Sequence, residues 1–583
     1  MIKYVCHNCR ELDCETSICP VCGNRTEMKG SKVFWSSKMN VPSFDEYNSI
    51  TGERCKYIGT DLRPVFPEER LLLEVLIGKP LEYINSSVWN VGGSNYIIDG
   101  NKKLFNYKEL IKDIDRKKVI LAIKEYENQN KNISNNYLDS QIIKNFVKIN
   151  NSRCCEITTE AIEYIKQKSD GYDIDSMFVS FSGGKDSTVI SDLVTRAIGS
   201  KKVIHIYGDT TLEYPETIKY IQRLKKHNRE TPILIAKNND QDFNDLCEVI
   251  GPPSRTMRWC CTIFKTGAIT KKIEMTFKDK NRILSFQGIR RNESISRSKY
   301  DRETNSPKIA KQLVVSPIID WLDFDVWLYL LSNNIDFNFA YRQGFSRVGC
   351  WCCPNNSAWS GFLSSVYMTE KYDKFYKILY DFAKNVGKED WKEYIDSGNW
   401  KARQGGNGLE ASKNAVLSFK PCAVDENSLN FELTKPIDDS LYVFFKPFGH
   451  LEFNIGNKRL NEVYVLDRKT KEPILKLTGR KGNEKLKVSI LKKTEAFKNI
   501  QVAEQLIKDQ ITKYQTCIAC SGCQSACKYN ALKVVNLNKG FVSNNSIQYT
   551  IDESKCIGCL HCVDHYSGGC YMKKVLRTKV GGK

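Results

Sequence analysis

What this 583-residue chain lacks narrows it first. No apolar run approaches the ~20 residues of a membrane span, which excludes a bilayer-crossing helix. The opening stretch, "MIKYVCHNCRE", has none of the apolar core of a secretory signal. The sequence therefore predicts a cytoplasmic protein with no membrane partner. Acidic residues are in short supply, 68 against 88 basic ones, for a formal charge of +20. That surplus admits two readings, a lysine-rich solvated surface or an anionic partner such as nucleotide or nucleic acid. No long repeat recurs outside the C-terminal region. The apolar share of 41% is that of a globular chain, and the length implies roughly three to five domains.

Cysteine, by contrast, is plentiful at 23 residues. With no signal and with short CxxC spacings, metal is the better reading than disulfides. Metal-bound thiolates would also lower the true charge. Cys6, Cys9, Cys19 and Cys22 make CxxC-x9-CxxC, paired knuckles that suit tetrahedral zinc. Cys14 lies between them as a spare donor. Residues 1–30 thus read as a zinc-ribbon-like knuckle, structural or for docking.

The remaining chain divides by pattern. Residues 31–107 read as a mixed β accessory domain, in which "SSVWNVGG" and "NYIIDG" are short strands ending at glycine turns. Residues 108–175 read as a helical linker region, with an Asn-rich loop near 130–137. Residues 176–360 alternate strands ("MFVSF", "VIHIY", "ILIA", "ILSFQ") with helices. That order predicts an α/β fold, a central parallel sheet with helices on both faces. Residues 361–425 read as a helical extension, 426–495 as a basic β-rich region and 496–583 as a second cysteine-rich unit.

"SFSGGKDST" follows the strand "MFVSF" and opens a helix that ends plausibly at Gly199. Free amides and the helix dipole at such a junction favour an anion. Gly183 and Gly184 allow close backbone approach, Ser182 and Ser187 offer hydroxyls, and Lys185 adds a point charge. Asp186 either binds Mg²⁺ or caps the helix. The loop is not GxxxxGK[ST], because its lysine precedes an aspartate. It resembles the PP-loop, SGGxDS, of the ATP pyrophosphatases, which hold a nucleotide's pyrophosphate and cleave between its α and β phosphates.

Later stretches sharpen the resemblance. "YGDTTLEYPET" follows the second strand, where Asp209 is placed for Mg²⁺ or a ribose hydroxyl. "GIRRNESISR" supplies Arg290, Arg291 and Arg297, guanidinium forks for phosphate or sulfate. "PIIDWLDFDVWLYL" and "YRQGFSRVGCWCCP" complete the series; the tryptophans of the former read as core. In this order the stretches resemble the phosphoadenosine phosphosulfate (PAPS) reductase family over roughly residues 150–360. The resemblance implies catalytic roles for Lys185, Asp186, Arg290 and Arg291, and Mg²⁺ with ATP or PAPS.

"RWCC" and "GCWCCP" place Cys260 and Cys261 upstream of Cys350 and Cys353. A CC pair followed at long range by CxxC resembles the [4Fe–4S] signature of iron–sulfur adenylyl-sulfate (APS) reductases and DNA-phosphorothioation ATP pyrophosphatases. That implies a cluster on these four, with Cys352 as a spare and reactive thiol; buried structural cysteines or zinc are the alternatives. The ECGLH-like nucleophile motif of assimilatory PAPS reductases is missing. Its absence favours an enzyme that activates a substrate with ATP for sulfur transfer over plain sulfate reduction.

At the C-terminus, "CIACSGCQSAC" and "CIGCLHCVDHYSGGC" resemble a bacterial-type two-cluster ferredoxin. Carried over, Cys517, Cys520, Cys523 and Cys570 hold one [4Fe–4S] cluster, and Cys556, Cys559, Cys562 and Cys527 the other. Lys528 stands where the family has proline, and the last gap of the second run is long. Expected partners are an adenine nucleotide, a nucleic-acid sulfur acceptor, and a cysteine desulfurase or electron donor. The alternatives are a ferredoxin-fed APS/PAPS reductase releasing sulfite, and a non-catalytic nucleotide-sensing or nucleic-acid-binding iron–sulfur protein.

Overall fold

The computed structural model describes residues 4–6, 9, 12–14, 21–22, 27–28, 32–129, 136–255, 257–294, 297–306, 309–385, 387–402, 418–495, 497, 499–536 and 547–568. Most of the Asn-rich stretch, Cys19 and Cys570 lie outside them.

A six-stranded sheet organises residues 177–315. Its order is Ile233–Lys237, Ile204–Asp209, Met177–Phe181, Ile283–Gln287, Gln312–Val315 and Glu303–Asn305. The first five run parallel, and Glu303–Asn305 pairs antiparallel at the edge. From Met177–Phe181 the chain steps outward twice to one side, then returns to add Ile283–Gln287 on the other. The carboxyl end of Met177–Phe181 is therefore the point where the winding reverses, the place where open α/β sheets take ligands.

The helix Lys185–Ile198 buries Val189, Ile190, Leu193, Val194 and Ala197 against this sheet. Gly199 ends it in the left-handed region at φ 70°. The helices Gln141–Ile149 and Asn151–Ser169 are no linker. Phe146, Ile157, Ala161 and Ile165 belong to the same core as Met177, Val179 and Trp327. Arg153 locks this layer with a buried two-pronged pair to Asp325, both bonds 3.0 Å. Trp321 and Trp327 are core residues, 2% and 1% exposed.

The accessory region pairs Arg63–Pro64, Val88–Asn90, Asn95–Ile98 and Asn101–Leu104 into an antiparallel sheet, and its Trp89 packs on Phe146 at 4.7 Å. Residues 4–6, 12–14 and 27–28 form a small antiparallel sheet. Cys6 and Cys14 lie on its strands, and Cys9 and Cys22 outside them.

Strands between Ser418 and Ile490 form a second six-stranded, antiparallel sheet. The helix Ile500–Thr516 shares its core, as do the hairpin Leu532–Asn536/Ile547–Ile551 and the cysteine runs. No helix among the described residues is long and apolar enough to cross a membrane.

Candidate active site

The loop after Met177–Phe181 is tied from several sides. Ser182 and Ser187 face each other, Oγ to Oγ at 3.1 Å, and Ser187 Oγ donates to Gly184 O at 2.9 Å. Gly183 has φ 71°, and a Cβ there would stand 2.9 Å from Thr217. Asn338 donates to Gly183 O at 3.1 Å, and the buried Tyr341 hydroxyl accepts the Lys185 amide at 3.0 Å. Gly288, after the neighbouring strand, is required by proximity: a Cβ would lie 2.7 Å from the Asp186 carbonyl.

Inside the loop sits a buried ion-pair lattice. Lys185 Nζ lies 3.2 Å from Asp186 and 3.1 Å from Asp323. Arg290, 3% exposed, reaches Asp186 at 2.5 Å and Asp323 at 2.7 Å. Burial opposes charge on Lys185, but Asp186 and Asp323 outweigh it and hold its pKa above the ordinary lysine value. Burial likewise opposes charge on Asp186, but Arg290 and then Lys185 draw its carboxyl down to about 2. Asp186 does not cap its helix, whose cap position is Gly184 with no side-chain bond.

The lattice opens on a cavity of about 460 Å³ lined by Ser182, Gly184, Lys185, Asp186, Ser187 and Arg290. Arg297 joins its wall, paired with Glu293. Two further cations, Lys265 and Arg347, complete the lining. Both are exposed, and neither pairs with a carboxylate among the described residues.

Two candidate residues fall elsewhere. Arg291 turns to Asp320 and to the Tyr300 carbonyl and does not line the cavity. Asp209 accepts the Thr211 amide at 2.9 Å, stands 3.6 Å from Lys237, and also lies outside the lining. The loop after it has another task. Trp351 N donates to Leu212 O at 2.9 Å, and Thr210 Oγ1 lies 3.5 Å from Cys350 Sγ, so this loop holds the CxxC turn.

Cys260 and Cys261 open a π-helical turn, Cys261–Thr266, a form that recurs at functional sites. That turn also carries Lys265, and Val348 of the cavity wall stands two residues before Cys350. The cavity wall and the cysteines thus draw on the same two segments. Cys260 and Cys261 share a hydrogen bond, and burial lifts the Cys350 thiol to about 12. None of Cys260, Cys261, Cys350 and Cys353 is in a disulfide. Among the described residues no three His, Cys, Asp or Glu side chains close on a metal position. Cys352 is 6% exposed in an apolar cluster, and burial pushes its thiol well above the ordinary value.

In the tail, Cys559 and Cys562 both lie within electrostatic reach of Cys527, the last cysteine of the other run. The tail sits directly on the π turn. Gly267 has no room for a Cβ, which would stand 2.9 Å from Ser525 O. Lys528–Glu274 at 2.9 Å, Lys271–Asn530 at 2.8 Å and Gln524–Asp240 at 3.1 Å latch the contact. Cys520 packs against the apolar cluster that contains Cys260.

Sequence reasoning missed Asp323, Tyr341, Lys265, Arg347 and Asp61. Lys265 had a signal, standing one helical turn after Cys261. Asp323, Tyr341 and Arg347 lie in stretches quoted for the family resemblance without being singled out as site residues. Asp61 had none.

Residues 176–356 match the phosphoadenosine phosphosulfate reductase domain family. An adenosine 5'-phosphosulfate reductase of Oceanobacillus iheyensis is 30% identical over 176 residues, covering 30% of this chain and 69% of that protein. An uncharacterised protein of Methanocaldococcus jannaschii is 34% identical over 227 residues, 39% of this chain. The match spans less than half of that relative's length, 45%. The crystal structure of phosphoadenylyl-sulfate reductase from Candida auris, a phosphate complex, aligns over 33% of this chain and 94% of that one, at 14% identity and a TM-score of 0.25.

Proposed function

Because this chain belongs to the phosphoadenosine phosphosulfate reductase family through residues 176–356, we propose that it binds ATP in the switch-point cavity, cleaves between the α and β phosphates, and couples the cleavage to sulfur transfer. One observation carries the reading: the cavity lined by the loop is also lined by Lys265, four residues after Cys261, and by Val348, two residues before Cys350. The loop amides and Lys185 hold the phosphates. Lys265, Arg297 and Arg347 receive the anionic end that leaves. An acceptor oxygen attacks the α-phosphorus, pyrophosphate departs, and a sulfide-level nucleophile then displaces AMP. The acceptor is a nucleic-acid base, and the sulfur donor is sulfide, or a cysteine desulfurase persulfide whose terminal sulfur displaces AMP to leave a disulfide adduct; a second thiol then attacks that adduct, releases the thiolated base and ends as a disulfide.

Cys260, Cys261, Cys350 and Cys353 are four free thiols, the first three in one apolar cluster, and suit an iron–sulfur centre by donor chemistry. Bound there, it supplies one-electron redox chemistry beside the nucleotide. The tail cysteines suit the same kind of centre, and the seating of the tail on the π turn supports a role in delivering electrons.

Anaerobically purified protein, incubated with ATP, sulfide and candidate acceptors, is expected to release pyrophosphate and AMP. No release with any acceptor refutes the reading. A second reading, reduction of APS or PAPS, is favoured by the Oceanobacillus relative. Sulfite from labelled APS or PAPS, without pyrophosphate from ATP, selects it.

A further inference from the structure

The helix Ile500–Thr516 runs straight into the first cysteine run of the tail, and residues 509–516 of it are all buried. Among them is Lys513, 1% exposed. A lysine is rarely sunk this deeply without a carboxylate beside it, because an unpaired charge loses its hydration. Lys513 makes no ion pair among the described residues, and its side-chain bond, 2.6 Å, goes to the Cys562 carbonyl. Asp509, one turn back, accepts from Gln505 at 2.8 Å. Asp564 lies within electrostatic reach, but it is exposed and does not pair with Lys513.

What faces the ammonium instead is cysteine from both runs. Cys523 of the first and Cys562 of the second feel its charge, and Cys517 N donates to Lys513 O at 3.0 Å. Cys517, Cys523, Cys556 and Cys562 pack on the same core as Ile511 and Tyr514 of this helix. One buried cation thus sits between the two runs, tied to each by a hydrogen bond. The other tail cations are placed differently. Lys528 is taken by Glu274 at 2.9 Å, Lys555 by Asp552 at 2.6 Å, and the half-buried Lys271 by Asn530 at 2.8 Å.

A buried ammonium without a carboxylate calls for another anion. Thiolates that hold iron supply one. A four-thiolate centre is anionic and gains a further negative charge on reduction, and net charge and solvent exposure set its potential. Lys513 fits that demand, and its burial is independent of cysteine spacing.

We infer that Lys513 is a potential-setting residue shared by the two tail centres, the fixed counter-charge that makes each easier to reduce. The inference rests on the tail holding iron–sulfur centres, as proposed above. One electron from a low-potential one-electron donor enters a centre, no proton is exchanged, and the Lys513 ammonium offsets the added charge through a low-dielectric core. Removing the ammonium lowers the reduction equilibrium of both centres about tenfold, which is about 59 mV for one electron.

Dithionite titration of the anaerobically purified full chain, followed by electron paramagnetic resonance with iron counted, tests it. In Lys513→Met both tail signals are expected to move to lower potential by that amount, while the signal of a centre on Cys260, Cys261, Cys350 and Cys353 stays in place. Lys513→Arg, which keeps the charge, is expected to stay near the native values. Loss of tail iron in Lys513→Met but not in Lys513→Arg also supports a required counter-charge. A fully loaded Lys513→Met with native tail potentials overturns the inference and leaves the iron–sulfur reading intact. Iron for no more than one centre in the native protein overturns both. A measurement without a variant is electron spin-echo spectroscopy of the reduced native protein carrying isotopically labelled lysine nitrogen. It should show a lysine nitrogen coupled to the unpaired electron; absence of that coupling overturns the inference.

Discussion

At the residue scale, the charged groups of the cavity fall into those that hold the site and those placed to meet the proposed ligand. Arg290 belongs to the first. Replacing it with Met leaves Asp186 and Asp323 short of a cation in a buried setting, a loss of about 3–5 kcal/mol. Chemical denaturation should show that loss, and Arg290→Lys should recover part of it. Arg347 belongs to the second. It is exposed and lines the cavity. Arg347→Ala should weaken ATP binding about tenfold, the worth of one charge-assisted contact, with an unchanged melting temperature. His205, buried in the second strand, donates from Nδ1 to Val203 O and accepts from Ser191 at Nε2. Burial lowers its pKa to about 4. The unfolded chain takes the proton first as pH falls. Stability from this residue is therefore full above pH 6.5 and lost between 6.5 and 4, on the order of 3 kcal/mol. Denaturation curves against pH should show that fall in the native protein and a flatter profile in His205→Gln.

At the element scale, the strand–loop–helix around Lys185 was legible because its apolar strand, glycines and helical face agree with one another. The edge strand Glu303–Asn305 was not, since all its residues are exposed and polar. Helices 141–169 read as a linker because local amphipathicity does not say which core a helix joins. Gly288 is an element-level constraint: the backbone of the next strand comes too close to the loop for a Cβ. Gly288→Ala should displace the phosphate loop and cut ATP affinity at least tenfold, while circular dichroism stays native. The basic β-rich region also changed meaning. Its lysines are largely paired within the fold, Lys476 with Glu462, Lys481 with Asp439, Lys487 with Asp425 and Lys492 with Glu472. Much of this region's positive charge is therefore paired within the fold.

At the scale of the whole molecule, two large cores run through the accessory, catalytic and helical regions, and a separate one joins the second sheet to the cysteine tail. Separate cores predict more than one calorimetric transition. ATP at a hundredfold excess over its dissociation constant should raise only the catalytic one, by about 2.7 kcal/mol of stability. The sequence by itself determined the phosphate loop, the parallel α/β order and the cysteine runs, because each is a short-range pattern whose chemistry needs particular residues at particular spacings. Tertiary structure alone decided which arginine is locked in the lattice and which cations line the cavity. It also decided that Cys352 is buried, that the tail rests on the π turn, and that Asp61 reaches the cavity from far upstream. Those outcomes depend on which surfaces exclude water from one another, and burial and ion pairing between distant segments leave no mark in local spacing.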